Sequence, residues 1–302
     1  MHGIALESRY QPIRFNILTN KKSPMNKQLN SKYLALKNII KKRERAAIAF
    51  SGGVDSTLLL KVAFDLLGKN VTAFTVRSNI FPQRELKEAK VTAATIGAEH
   101  IIIDFKGTES EIFTKNLPDR CFFCKTEIFS KIIKEAEKKN ITTLFDGGNI
   151  DDLSDFRPGK KGIILLGIDS PLEMAGLNKK DIRTLSKELG LSTWNKPSAA
   201  CLASRFPYYT KITEQGLQQV EKSENFLYEL GLREIRVRHH GSLARIEAGA
   251  EELRLLKKNQ SLNAEIVQYL KSTGYKYVCI DMEKFRSGRM NEELGAAELK
   301  LM

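Results

Sequence analysis

The chain is short of cysteine, proline and tryptophan, with four, eight and one among 302 residues. Four cysteines cannot make a disulfide framework, and a chain this long buries a sizeable core without staples. No run of about 18 or more apolar residues occurs, so no transmembrane helix is expected. The first residues, "MHGIALESRYQPIRFNILTNKK", lack the unbroken apolar region of a secretory signal. Few cysteines and no export signal together predict a reducing cytoplasm. Internal repeats and low-complexity tracts are also missing. Acidic residues are scarce at one end: residues 1–45 carry eleven Lys and Arg against Glu7 and Glu44, which is +9 of the net +13. The body is therefore only mildly basic. The basic arm reads as a solvated tail, and nucleic acid is not expected as a partner. Met25 stands just before the first helical pattern, so residues 1–25 read as a disordered extension.

What remains is ordinary globular sequence, 42% hydrophobic and 28% charged. Leu29, Tyr33, Leu36 and Ile40 space one face of a helix. "RAAIAF" (45–50), "VTAFTVR" (71–77), "HIIIDF" (100–105) and "TTLFDG" (142–147) read as strands. Between them "STLLLKVAFDLLG", "PQRELKEAKVTAATIG" and "KTEIFSKIIKEAEKKN" read as helices, with Gly68 as a C-cap and Pro82 at a helix start. This alternation predicts an α/β fold with a largely parallel sheet. After about residue 200 the pattern changes. A long helix, the paired strands "EIRVRHHG" and "SLARIEA", two helices and a strand "YKYVCID" predict a smaller α+β domain. The expected division is 1–25, 26–200 and 201–302.

The strongest local signal is "AFSGGVDSTLLL" (49–60). A strand runs into Ser51, Gly52, Gly53, Val54, Asp55 and Ser56, and a helix follows. Glycines allow close backbone approach, and N–H groups at a helix start favour an anion. A Walker A loop is excluded, because no Lys stands at the turn. The form resembles the PP-loop of ATP pyrophosphatases, which split ATP to AMP and pyrophosphate. "DGGNIDDLSDFRPG" (146–159) offers Asp151, Asp152 and Asp155 after a strand, where ligands collect in open α/β sheets. With Asp55, these are candidates for holding Mg²⁺.

Cys279 sits in an apolar strand pattern and is expected to be packed. Cys121 and Cys124 form the C-x-x-C of "DRCFFCK", and Cys201 lies in "KPSAACLASRFPYYT". The spacing alone admits a redox dithiol, a metal site or no role. A thioredoxin-like motif should open a helix directly after a strand, and a loop with Pro118 and Asp119 precedes this one. Zinc would need a fourth ligand from His100, His239, His240 or His2. An iron–sulfur cluster can take three thiolates.

Seven blocks in order, "SGGVDST", "RCFFCK", "GGNIDDLSDFRPG", "SPLEMAGLNKKDIRTLSKELGL", "WNKPSAACLASRFPY", "RVRHHGSLARIE" and "KFRSGRMNE", resemble the LarE family of ATP-dependent sulfur transferases over roughly residues 26–295. The resemblance implies a PP-loop (adenine nucleotide alpha hydrolase-like) parallel sheet with helices on both faces, plus the smaller domain. It implies that ATP and Mg²⁺ adenylate a carboxylate of pyridinium-3,5-biscarboxylic acid mononucleotide, and that sulfur then displaces AMP. The product serves the nickel-pincer nucleotide cofactor. Some relatives sacrifice a single Cys at the Cys201 position. Others carry three, here Cys121, Cys124 and Cys201, which implies a [4Fe–4S] cluster bearing an extra sulfide. The resemblance further implies phosphate binding at Ser51–Ser56, an adenylation loop with Asn149, Asp151 and Asp152, and substrate phosphate on Ser204, Arg205, Arg236 and Arg238. Catalytic roles fall on Cys201, Asp55 and Glu247, with Glu224 a weaker candidate, and a homo-oligomer is implied. Two positions depart from the family: Gly148 stands where Thr is usual, and Tyr209 where Gly is usual. Rival readings are a tRNA thiolase, a non-catalytic nucleotide or cluster sensor, and an amidotransferring synthetase, although no glutaminase-type domain is visible.

Overall fold

The computed structural model describes residues 26–153 and 159–294; the expected extension 1–25 and Asp155 lie outside them. The first half alternates as the sequence predicts. Helix α1 (Lys27–Lys41), capped by the Asn26 side chain, leads to β1 (Ala46–Ala49), α2 (Val54–Leu67), β2 (Val71–Arg77), α3 (Gln83–Ile96) and β3 (Glu99–Asp104). A short α4 (Glu111–Thr114) precedes the long α5 (Arg120–Glu137) and the two-residue β4 (Leu144–Phe145). Then come α6 (Gly159–Leu165), α7 (Pro171–Met174) and α8 (Lys179–Glu188), the last begun by a reciprocal capping box between Asn178 and Asp181.

The four strands are parallel in the order β3-β2-β1-β4. Successive side chains of a strand point to opposite faces, so the sheet divides its apolar residues between two cores. Ala46, Ile48, Val71, Ala73 and Phe145 pack with α1, α2, α3, α7 and α8. Ala47, Phe74, Ile103 and Leu144 pack with α5, α6 and the segment Leu202–Val220. This is the PP-loop α/β fold with helices on both faces. The strand order reverses between β1 and β4, so a crevice opens at their C-terminal ends.

The C-terminal region holds α9 (Glu214–Glu229), β5 (Ile235–His240), β6 (Leu243–Ala248), α10 (Ala250–Lys258), α11 (Gln260–Ser272) and β7 (Tyr277–Ile280). β5 and β6 form the expected hairpin, and β7 adds parallel to β6. Helix α9 joins the cores: Leu217 and Val220 belong to the second, Leu227 to a third with Val237, Ile246, Leu256 and Leu270.

Three details differ from the sequence expectation. Helix α5 starts at Arg120, not Lys125, so both cysteines of the C-x-x-C lie inside it. No Gly or Pro interrupts residues 120–137, and Pro118 stands just outside, where its missing N–H breaks no helical bond. β4 is shorter than residues 142–147, because beyond Phe145 the chain turns to bond Asp169 instead, Asp146 N to Asp169 O at 3.0 Å. Cys279 is exposed rather than packed. Val278 and Ile280 face the third core, so the pleat turns Cys279 outward on an edge strand.

Candidate active site

The loop after β1 and the loop after β4 meet in the crevice. Gly52 has φ +71°, and a Cβ there would stand 2.9 Å from Ala89 Cα, so only glycine fits. Gly53 caps α2. The hydroxyls of Ser51 and Ser56 lie 3.2 Å apart, and Ser56 Oγ also accepts from Ser51 N at 3.3 Å. Gly147 lies close enough to the start of α2 that a Cβ would stand 3.2 Å from Ser56 N. Asn149 Nδ2 donates to Asp55 Oδ1 at 3.3 Å, Asn149 N to Asp152 Oδ2 at 3.1 Å, and Asp151 N to Asn149 Oδ1 at 3.0 Å. Asn149, Asp151, Asp152 and Asp55 are thus one group.

Lys179, at the start of α8, closes this group. Its Nζ is 2.5 Å from Asp55 Oδ2, and its N–H donates to Asp151 Oδ2 at 2.8 Å. Sequence reading missed Lys179, 124 residues from Asp55. Also missed was Asp146, which accepts from Ser170 Oγ at 2.5 Å and from Gly148 N at 3.1 Å. Burial pushes its carboxyl above the usual range, against the pull of those bonds. Gly148 now has a reason: a Cβ would stand 3.0 Å from Ser170 Oγ, so the Ser170 hydroxyl fills the space a threonine would take.

An extended strap, residues 196–201, runs from this crevice to the cysteines. Lys196 Nζ donates to Gly52 O at 3.1 Å and pairs with Glu85 and Glu88. Arg183 Nη2 holds Lys196 O, Arg236 Nη2 holds Ser198 O at 2.9 Å, and Arg205 Nη1 holds Ala200 O and Cys201 O, each at 3.0 Å. Leu202 N bonds Ile80 O at 2.8 Å, just beyond β2. Below it, Asn116 Nδ2 donates to Pro207 O at 2.6 Å and to Thr210 O at 3.0 Å, and Tyr209 N donates to Asn116 O. The segment leading into α5 is therefore clamped to the one following Cys201. Tyr209 has φ +65°, the left-handed conformation that explains the usual glycine.

Cys121, Cys124 and Cys201 lie near enough to feel one another's charge. Burial first, then the nearby Cys201, push Cys121 and Cys124 above the usual thiol range, and Arg120 opposes this in both. Cys124 and Cys201 also pack against the second core. Among the described residues no three His, Cys, Asp or Glu side chains stand close enough to share one ion. A cubane differs, because each thiolate takes its own iron. Three half-buried thiols beside a cation suit it chemically. Of the described histidines, His100 bonds Thr75 Oγ1 at 2.7 Å and His239 bonds the Tyr275 hydroxyl at 3.0 Å. For Mg²⁺, the carboxylates of Asp55, Asp151 and Asp152 are hard oxygen donors beside a phosphate cradle. Mg²⁺ commonly takes one or two carboxylates and completes its shell with water and substrate phosphate.

The arginines divide into two kinds. Arg205 is fully buried and forks onto Glu224 with two 2.8 Å bonds. Burial alone would raise the Glu224 carboxyl, yet Arg205, Arg236 and the Val237 N–H hold it below its usual range. Arg238 forks onto Glu247 Oε2 at 2.9 and 2.5 Å and bonds Ser204 O at 2.7 Å. Glu247 Oε1 is sealed without a hydrogen bond, with Arg245 at 3.4 Å and Arg289 at 3.8 Å. Ser204 Oγ donates to Cys201 O at 2.8 Å. Among the described residues Arg236 alone of the three arginines makes no ion pair, although its charge reaches Glu224. Burial and the charges of Arg205 and Arg238 push Arg236 down to about 10. A wide groove of about 800 Å³ beyond β2 and β3, lined among others by Arg77, Gln83 and Lys211, includes none of the expected site residues.

Residues 34–147 match the asparagine synthase family model. Pyridinium-3,5-bisthiocarboxylic acid mononucleotide synthase of Lactiplantibacillus plantarum is 37% identical over 90% of this chain and 98% of its own length. The uncharacterized protein slr1717 of Synechocystis is 39% identical over 88% of this chain and 99% of its own. A GMP synthase of Chlamydia caviae is 26% identical over 52% of this chain and 34% of its own length. With the PP-loop crevice, the strap and near full-length likeness to the synthase, the chain belongs to the LarE family.

Proposed function

We propose that this protein is an ATP-dependent sulfur transferase acting on pyridinium-3,5-biscarboxylic acid mononucleotide in nickel-pincer nucleotide synthesis. It adenylates a substrate carboxylate, releases pyrophosphate, and converts the acyl adenylate to a thiocarboxylate with release of AMP. The observation that supports this reading is the strap, which runs from Lys196, bonded to the Gly52 carbonyl, to Cys201, whose charge reaches Cys121 and Cys124.

The backbone N–H groups of Gly52, Gly53 and Val54, with Ser51 and Ser56, bind the β- and γ-phosphates. Asp55, Asp151 and Asp152 would hold Mg²⁺, whose chemistry is to neutralise phosphate charge. Lys179 leaves Asp55 for the phosphates when ATP enters, and Asn149 orients the loop. Arg236 takes the substrate phosphate, because among the described residues it forks onto no carboxylate. Arg205 holds the Cys201 carbonyl, while Ser204, Arg238 and Glu247 fix the pocket wall behind Arg236. Cys121, Cys124 and Cys201 would hold a [4Fe–4S] cluster, which supplies a replaceable sulfide so that no protein sulfur is consumed. The reading includes a cytoplasmic homo-oligomer.

The test is anaerobic reconstitution with iron and sulfide, followed by incubation with ATP and substrate. Expected are cluster iron in the parent, loss of it in Cys121→Ala, Cys124→Ala and Cys201→Ala, and pyrophosphate release that depends on the mononucleotide. A parent without iron whose Cys201 becomes dehydroalanine during turnover would show the sacrificial route instead. Pyrophosphate released in response to tRNA and not to the mononucleotide would favour a tRNA thiolase.

A further inference from the structure

Arg120 is a buried cation that the reading above leaves unused. It opens α5 directly before Cys121 and is 5% exposed. Its Nε and Nη1 are sealed from water with no acceptor. Among the described residues it makes no ion pair, not even with the neighbouring Asp119, and its aromatic neighbour is Tyr208, 5.5 Å from Cζ to the ring centroid. The other two deeply buried arginines of the site, Arg205 and Arg238, each fork onto a glutamate of their own. Buried guanidinium groups are ordinarily matched in this way, because an unpaired one loses its hydration for nothing. Arg120 therefore has the character of a group whose counter-ion is not part of the polypeptide.

Arg120 adjoins Cys121 and stands about one turn before Cys124 on the same face of α5. The N-terminus of an 18-residue helix lies at the same place and adds its own preference for negative charge. The Cys121 thiol is within hydrogen-bonding reach of Arg120, so a sulfur is one of the acceptors beside this cation. We propose that Arg120 is a positioning residue for the anionic inorganic sulfide gathered with Cys121, Cys124 and Cys201, and that its unpartnered N–H groups are the donors to that sulfide. This rests on the three-cysteine reading above. It assigns to one side chain the retention of the transferable sulfur, separately from the thiolates that hold iron.

The experiment reconstitutes the full chain and its Arg120→Gln and Arg120→Lys variants without oxygen. It measures iron, acid-labile sulfide and the midpoint potential of each. Expected is equal iron in all three, because the three cysteines are intact. The sulfide in excess of iron is lost in Arg120→Gln and reduced in Arg120→Lys, which keeps the charge but not the fork. With no extra sulfide bound to any of the three, the midpoint potential is more negative in Arg120→Gln than in the parent and returns toward it in Arg120→Lys. Should Arg120→Gln not fold, the Lys variant alone decides, by its weaker sulfide retention at unchanged iron. Variants that match the parent in sulfide-to-iron ratio and potential would overturn the role of Arg120 and leave the cluster standing. Unchanged sulfide with a raised KM for the mononucleotide would make a substrate carboxylate the counter-ion, which also overturns it. A parent that takes up no iron overturns the cluster reading and this inference with it.

Discussion

Arg236 and Arg205 lie in one neighbourhood and are expected to behave oppositely. Arg236→Ala removes a cation that forks onto no carboxylate among the described residues, and Glu224 keeps its Arg205 fork, so the fold survives and the phosphate contact is lost. A charge-assisted fork is worth about 1.5–3 kcal/mol, which corresponds to roughly a 10- to 150-fold rise in KM at little cost in melting temperature. Steady-state kinetics with the mononucleotide check this; a fall in kcat alone would point to another role. Arg236→Lys recovers only part, because an ammonium lacks the planar fork. Cys279→Ser should leave iron content untouched, since Cys279 faces solvent on an edge strand. Tyr209→Gly is expected to leave the melting temperature level or raise it. The left-handed backbone costs a side chain about 1–2 kcal/mol, and glycine gives back roughly 0.5–1 kcal/mol of that as chain entropy. A drop of several degrees would show that the Tyr209 ring is needed.

At the scale of elements, the crevice depends on one backbone turn. Gly52→Ala would place a methyl against Ala89 in a left-handed turn. The expected outcome is a loss of about 2 kcal/mol or more, combining strain with overpacking, and abolition of pyrophosphate release. Chemical denaturation and a pyrophosphate assay read the two effects; a stable, active variant would mean the loop shifts freely. The PP-loop was legible because its residues are contiguous, and the strand–helix alternation fixed where it must sit. The partners of Asp55 were not, because Lys179 reaches it only after α8 docks beside α2. The C-x-x-C was read as preceding its helix, and the structure puts it inside. Local pattern had no way to show that Arg-Cys-Phe-Phe-Cys already belongs to the helical run.

Across the whole molecule, α9 ties the parallel sheet to the C-terminal region, and the Arg205–Glu224 pair fastens that tie from inside. Glu224 is held below its ordinary value, so its contribution to stability is complete above the unfolded-state carboxyl range, near about pH 4.3. The contribution is lost as pH falls from that range through the depressed folded value. Glu224→Gln should flatten that acid limb and cost about 3–5 kcal/mol at neutral pH, because Arg205 is left buried and unpaired. Replacing both by apolar residues of similar size should cost much less. Thermal melts across pH 3–7 (a range chosen to bracket about pH 4.3) decide it; parallel curves for parent and variant would remove the pair from the account.

The sequence by itself determined the α/β class, the strand order of appearance, the phosphate loop and the family. Each of these is written in neighbouring residues, through periodicity, turn chemistry and contiguous motifs. Only the tertiary structure decided which charged residues are spent on one another. Arg205, Arg236 and Arg238 look alike in sequence, yet two fork onto Glu224 and Glu247 and Arg236 makes no ion pair among the described residues. Arg120 drew no reading from the sequence, and it proves buried with no ion pair among the described residues and with its Nε and Nη1 lacking an acceptor. Whether a charge is paired depends on which distant side chain burial brings beside it, and in the interior that pairing sets both its energy and its use.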